Sequence, residues 1–228
     1  MSLNVTLAFL WRLNEMELIK YLNDHFLTKQ QLLDISKVTA QDFSKYQQNG
    51  LMPKYSYKLN LNVKSDSFFG LHNEEQEIEY YAKGYASWLA IIQSLNTTEA
   101  VYAVFSNRYK RAIEKLKEQG HYSSNLKIAS GLNNHIKEEW NHFLNGIYGL
   151  CTKSGLPEDI AAKEFSILEI NELAELGELT PEQINKLTIA VNLLDSASSL
   201  FAPHERLQSS RNRLVNEVRR KYKLKATP

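Results

Sequence analysis

The spacing of apolar residues changes period only once along this chain, and that change constrains the fold more than any motif. Between residues 14 and 26, Met16, Leu18, Ile19, Leu22 and Phe26 recur at helical spacing. Over 55–69, Tyr55, Tyr57, Leu59, Leu61 and Val63 alternate with polar residues, the period-2 pattern of a strand or hairpin arm. After Gly70 the helical spacing returns and predicts helices at 74–95, 98–118, 125–152, 157–176, 180–197 and 203–222. Pro157, Pro181 and Pro203 stand just inside three of these starts, where a missing N–H costs nothing. The expected fold is all-α, with one short β element near residues 55–69.

Local signals divide the first part further. Thr28 can cap a helix burying Leu32, Leu33 and Ile35, and Thr39 can cap another with Phe43 and Tyr46 inward. Asn49-Gly50 stops that helix, because both residues tolerate the left-handed conformation, and Pro53 blocks its return. The stretch from Val38 through Thr39, Phe43 and Tyr46 to Gly50-Leu51 resembles the second helix of a MerR-type DNA-binding domain. That resemblance implies a helix-turn-helix with a wing after Pro53. The organisation expected is an extension over 1–15, a helix-turn-helix-like unit over 16–70, and a helical domain over 71–228.

A recognition helix needs donors that reach phosphates and base edges, usually arginines. Ser44 stands where the MerR pattern has arginine, and no arginine occurs between Arg12 and Arg108. Lysines remain: over 29–64 six of them face only Asp34 and Asp42, a net charge of about +4. Lys37, Gln41, Lys45, Lys54 and Lys58 are the candidate DNA-facing residues. Over the whole chain the net charge is only +1, so any nucleic-acid surface must be local.

Composition narrows the class. With 43% hydrophobic and 23% charged residues, the chain has the means to bury a core and no signature of disorder. Cys151 is the single cysteine, which excludes an intrachain disulfide and a cysteine-based zinc cage. No apolar run approaches the roughly 20 residues that span a bilayer. The stretch from Leu3 to Trp11 lacks the flanks of a signal peptide, so a cytoplasmic location without a membrane partner is expected.

Two constellations could carry chemistry. Glu139-Trp140-Asn141-His142 has the Glu-x-x-His spacing of di-iron bundles, but no second copy accompanies it, so no metal and no cofactor is expected. Glu139, Trp140 and Tyr148 remain candidate pocket residues. The densest polar cluster is Pro203-His204-Glu205-Arg206 through Arg211. There His204 and Glu205 could exchange protons, and Arg206 or Arg211 could bind a small anionic ligand. The competing reading is structural, with these arginines bridging to the acidic segment 158–182.

The segments Tyr21-Leu22-Asn23, Glu138-Glu139-Trp140, Gly146-Ile147-Tyr148-Gly149-Leu150-Cys151 and Phe201-Ala202-Pro203-His204-Glu205-Arg206 together resemble an uncharacterised proteobacterial family. Its members are loosely labelled natural product biosynthesis proteins. The resemblance spans about residues 16–223 and implies a bacterial setting without naming a reaction. Two functions are expected to compete. One is a regulatory or binding protein whose N-terminal unit contacts DNA or protein, with a homodimer as a further candidate. The other is an enzyme or ligand-binding step of a secondary-metabolite pathway, using the C-terminal cluster.

Overall fold

A computed structural model describes residues 16–95 and 97–225. The proposed extension over 1–15 lies outside the described residues. The chain begins with helix α1 (Glu17–His25), strand β1 (Phe26–Thr28), and helices α2 (Lys29–Ser36) and α3 (Ala40–Gln48). Thr28 caps α2 in a reciprocal box with Gln31, and Thr39 caps α3 by accepting from the Asp42 N–H. Lys37, in the left-handed conformation, makes the turn between them. Leu32, Leu33 and Phe43 are buried as their spacing predicts, whereas Ile35 points to solvent.

The all-α expectation is overturned here. Strand β2 (Tyr57–Ser67) is followed by a two-residue turn at Phe68-Phe69 and by strand β3 (Gly70–Ala82). With β1 they form a three-stranded antiparallel sheet in the order β1-β3-β2. The protein is therefore mostly helical but mixed. The residues of β3 are rich in Glu and Gln, which favour helix locally, and that composition masked the strand. Pairing with the whole length of β2, from Tyr57↔Tyr80 to Ser67↔Gly70, overrides the preference. Phe26↔Ala82 and Thr28↔Tyr80 add β1, which is too short to show a period.

Beyond the sheet come α4 (Tyr85–Leu95), α5 (Thr98–Glu118), α6 (Leu126–Ala129), α7 (Leu132–Leu144), α8 (Ile147–Cys151), α9 (Pro157–Ala174) and α10 (Pro181–Ala197). The expected long helix at 125–152 is broken at Gly131 and at Gly146, whose φ of 82° ends one helix and starts the next. The last helix starts at Ser210 rather than at Pro203; a π-turn (Asn212–Asn216) leads into α11 (Glu217–Tyr222).

The largest core runs from Leu32 and Phe43 through Tyr85, Trp88 and Phe105 to Phe143 and Phe165. Trp88 is its hinge. Its ring meets Phe143 at 5.0 Å, and its Nε1 donates to the Leu51 carbonyl at 2.9 Å. That bond satisfies a buried donor and ties α4 to the chain leaving α3. A second cluster joins α9, α10 and the C-terminal helix through Ile170, Val191, Leu194 and Val215. A third places Ala202 against Tyr21, Phe26 and Tyr80.

Candidate functional site

Helix α3 rests on the core through Phe43, whose ring meets Tyr81 edge-on at 5.4 Å. Its opposite face exposes Gln41, Lys45 and Gln48, and Lys37 is exposed in the preceding turn. The β2–β3 hairpin is reached from α3 through the Phe43–Tyr81 contact, on the buried face. Both of its surfaces are exposed from Asn62 to Glu77, and its tip carries Phe68 and Phe69, each 96% exposed.

The sheet changes the charge of this region. Lys58 pairs with Glu77 at 2.6 Å and Lys29 with Glu79 at 3.1 Å, both partners coming from β3. Lys54 donates to Asn145 Oδ1 at 3.2 Å, and Lys45 faces Asp42 at 3.7 Å. Over 37–82, five lysines meet two aspartates and four glutamates. The excess of lysine read up to residue 64 is cancelled by the strand that follows.

The C-terminal cluster does not converge on one centre. His204 is largely exposed and lies 3.9 Å from Glu205. Glu205 Oε2 accepts from the Tyr57 hydroxyl at 2.6 Å and from the Ala202 N–H at 3.3 Å. Arg206 donates from Nε to the Phe201 carbonyl at 3.3 Å. Arg206 and Arg211 share a small cleft of about 330 Å³ with Ser209 and Asn216. Arg211 turns to Asp195, not to the acidic segment 158–182. That segment is satisfied elsewhere: Glu158 takes a two-pronged bond from Arg108 and Glu169 binds His121 at 2.7 Å.

Glu139, Trp140 and Tyr148 lie in a different part of the molecule. Trp140 stacks on Phe143 and meets Phe105 at 5.0 Å, as core. Tyr148 is buried beneath His142. Glu139 is only 3% exposed and lies between His135 at 3.3 Å and His142 at 3.6 Å. Burial, reinforced by the Glu164 carboxylate, pushes its pKa up to about 8. Burial also pushes His135 down, and its Nε2 meets the Tyr109 hydroxyl at 3.1 Å. Burial thus favours the neutral forms of Glu139 and His135, and Glu139 Oε2 has no hydrogen-bond partner. Among the described residues, no group of three His, Cys, Asp or Glu is placed to hold a metal. No described helix is long and apolar enough to cross a membrane. Cys151 is a largely buried thiol whose pKa burial pushes up, the reverse of an activated nucleophile.

A family of unknown function, DUF6058, matches residues 101–223. The chain belongs to that family. No curated protein matches it, and no solved structure does. The DUF6058 match takes in Glu139, Trp140, Tyr148, His204, Glu205, Arg206 and Arg211, and leaves the α3 face and the hairpin outside. Sequence reasoning missed Asp195 and Arg219, which join Arg211. Their only signal was an Arg pair eight residues apart, which an uninterrupted α-helix would not put on one face.

Proposed function

We propose that this DUF6058 member is a binding protein whose N-terminal unit works as a winged helix and presents α3 and its hairpin to a protein partner. The observation that carries the reading is the order helix, strand, helix, turn, helix, hairpin, with β1 pairing β3 in the sheet. That order is the plan of a winged helix-turn-helix, with α3 in the recognition position and the β2–β3 turn as the wing. The argument is one of fold analogy, and the surface has to select the partner. Lysines that are paired or outnumbered cannot supply the counterion release on which DNA affinity rests. A hairpin with an acidic shaft and an apolar tip suits a protein surface better.

A second reading, DNA contact, is favoured by the amides of Gln41 and Gln48 beside Lys45 on the outward face of α3. Asn and Gln side chains are the usual readers of adenine edges. The resemblance to proteins labelled for natural product biosynthesis supplies a setting, a bacterial secondary-metabolite pathway in the cytoplasm, and leaves the chemistry open. An enzymatic use of His204 and Glu205 finds less support, since the Glu205 carboxylate already holds Tyr57.

Photo-crosslinking residues placed at Gln41, Gln48 and Phe69 in the full chain test the reading in the expressing cell. Crosslinks to one protein that vanish in Phe68→Ser/Phe69→Ser support it. Binding of a random DNA duplex at low salt, with a steep salt slope that Lys45→Glu reduces by about one unit, would replace it with the second reading.

A further inference from the structure

One cleft takes its walls from both halves of the chain. Tyr21 and His25 of α1 and Ala82 at the end of β3 form one side; Lys153, Asp195 and Arg211 stand on the other. Its volume is about 550 Å³, the size of pockets that take small organic molecules.

The charge of this cleft is built rather than incidental. Arg219 donates from Nη1 to Asp195 Oδ2 and from Nη2 to Asn192 Oδ1, both at 2.8 Å. Arg211 pairs with the same carboxylate and donates to the Asp195 carbonyl at 3.1 Å. Eight residues of uninterrupted α-helix would leave these two arginines about 80° apart. The π-turn between them absorbs one residue, so they sit as if seven apart, about 20° from alignment. A π-turn in a helix is frequently a feature of functional sites.

One carboxylate cannot neutralise two guanidinium groups. Lys153 is exposed and makes no ion pair among the described residues, so it adds a second uncompensated charge. Three buried polar atoms of the lining have no hydrogen-bond partner: Arg219 Nε, the Oγ of Ser198, a residue 5% exposed, and Asp195 Oδ1, which lies against Arg211 as an ion pair only. Buried groups of this kind normally have partners, and orphans ask for an explanation. The lining also has apolar members, Tyr21 and Phe26 from α1 and β1 and Leu200 from the segment after α10.

We propose that this cleft binds a small organic carboxylate with an apolar body. The carboxylate meets Arg211, Arg219 and Lys153, with Ser198 Oγ as a further donor, and the body lies along Tyr21 and Leu200. Asp195 Oδ2 accepts from Arg219 and Oδ1 lies against Arg211 as an ion pair, so the acid faces the arginines and positions them. Because the walls belong to α1 and β1 on one side and α10 and the C-terminal helix on the other, an occupant bridges the N-terminal unit to the helical body. The inference stands whether the α3 face meets a protein, DNA or neither.

Titration of the full chain with phenylacetate, phenylacetamide and inorganic phosphate, followed by calorimetry and by NMR shifts, tests it. Phenylacetate should bind saturably and perturb Tyr21, with the uncharged amide at least about tenfold weaker, as expected for a charge-assisted contact. Lys153→Gln, a substitution of an exposed and unpaired residue, should weaken phenylacetate by about three- to tenfold. Ser198→Ala keeps the fold and should weaken it less. No saturable signal up to about 10 mM, equal affinity for the amide, or full affinity in both variants overturns the proposal. Phosphate binding tighter than phenylacetate overturns the assignment to a carboxylate.

Discussion

The hydroxyl of Tyr57, at the start of the hairpin, donates to the carboxylate of Glu205, 148 residues later, at 2.6 Å. This bond pins the Pro203-His204-Glu205-Arg206 turn to the sheet, beside Ala202 in the cluster with Tyr21, Phe26 and Tyr80. Burial, followed by the bond to Glu205, drives the Tyr57 pKa strongly upward, so it stays a donor. A hydrogen bond to a charged group contributes roughly 1.5–3 kcal/mol. Tyr57→Phe and Glu205→Leu, each of which removes one side of the bond, should lower stability to urea by about that amount. The double variant should cost less than the sum of the two, since both remove one interaction. Additive losses would mean that the contact does not form.

Glu139 should make stability fall with rising pH. Its folded pKa of about 8 lies above its ordinary value of 4.5. The favourable term is complete below the ordinary value, where both folded and unfolded chains are protonated. Between about pH 4.5 and 8 the unfolded chain ionises and the folded one does not, so stability declines across that window. The shift corresponds to roughly 3–5 kcal/mol at about 1.4 kcal/mol per pKa unit. Glu139→Gln should flatten this part of the profile, leaving the variant closer to or above the parent at pH 8 than at pH 5. Denaturation at both values decides it, and parallel curves would place the ionisation elsewhere.

Gly84 joins the end of the sheet to α4, and a Cβ there would lie 2.3 Å from the Ser154 carbonyl oxygen. Backbone oxygen cannot rotate away as a side chain would. Gly84→Ala should therefore cost about 1–3 kcal/mol, and more if the loop before α9 cannot shift. A midpoint within error of the parent in a urea titration would show that the two segments are not in close contact.

The hairpin tip should matter to association and not to stability. Phe68 and Phe69 touch each other edge-on at 5.4 Å and are otherwise exposed. Phe68→Ser/Phe69→Ser should leave the unfolding free energy within about 0.5 kcal/mol of the parent. Light scattering at high concentration should fall. A large stability loss would mean that the tip is buried by a partner, including a second copy, in the purified protein.

Much of the local chemistry was readable in the sequence, Ile35 and Pro203 being exceptions. The caps at Thr28 and Thr39, the inward Leu32, Leu33 and Phe43, the stop at Asn49-Gly50 and the prolines opening α9 and α10 depend on groups within about four residues of one another. Their free energies are set before the chain meets itself. What the tertiary structure decided involves partners far apart. Strand β3 exists because β2 lies beside it, against the helical preference of its glutamates. That same pairing lowers the net positive charge read up to residue 64, by bringing Glu77 to Lys58 and Glu79 to Lys29, while Lys37 and Lys45 stay exposed. The polar cluster around Glu205 was legible as distinctive, but Tyr57 gave it a clamping role that no local signal carries. Arg211 was legible as a candidate anion ligand; its pairing with Asp195 was not. Its alignment with Arg219 depends on a π-turn, and its position on Asp195 depends on how the last helix packs against α10. A sequence fixes spacing along a helix, whereas an inserted residue and a long-range contact become visible only when the surfaces meet.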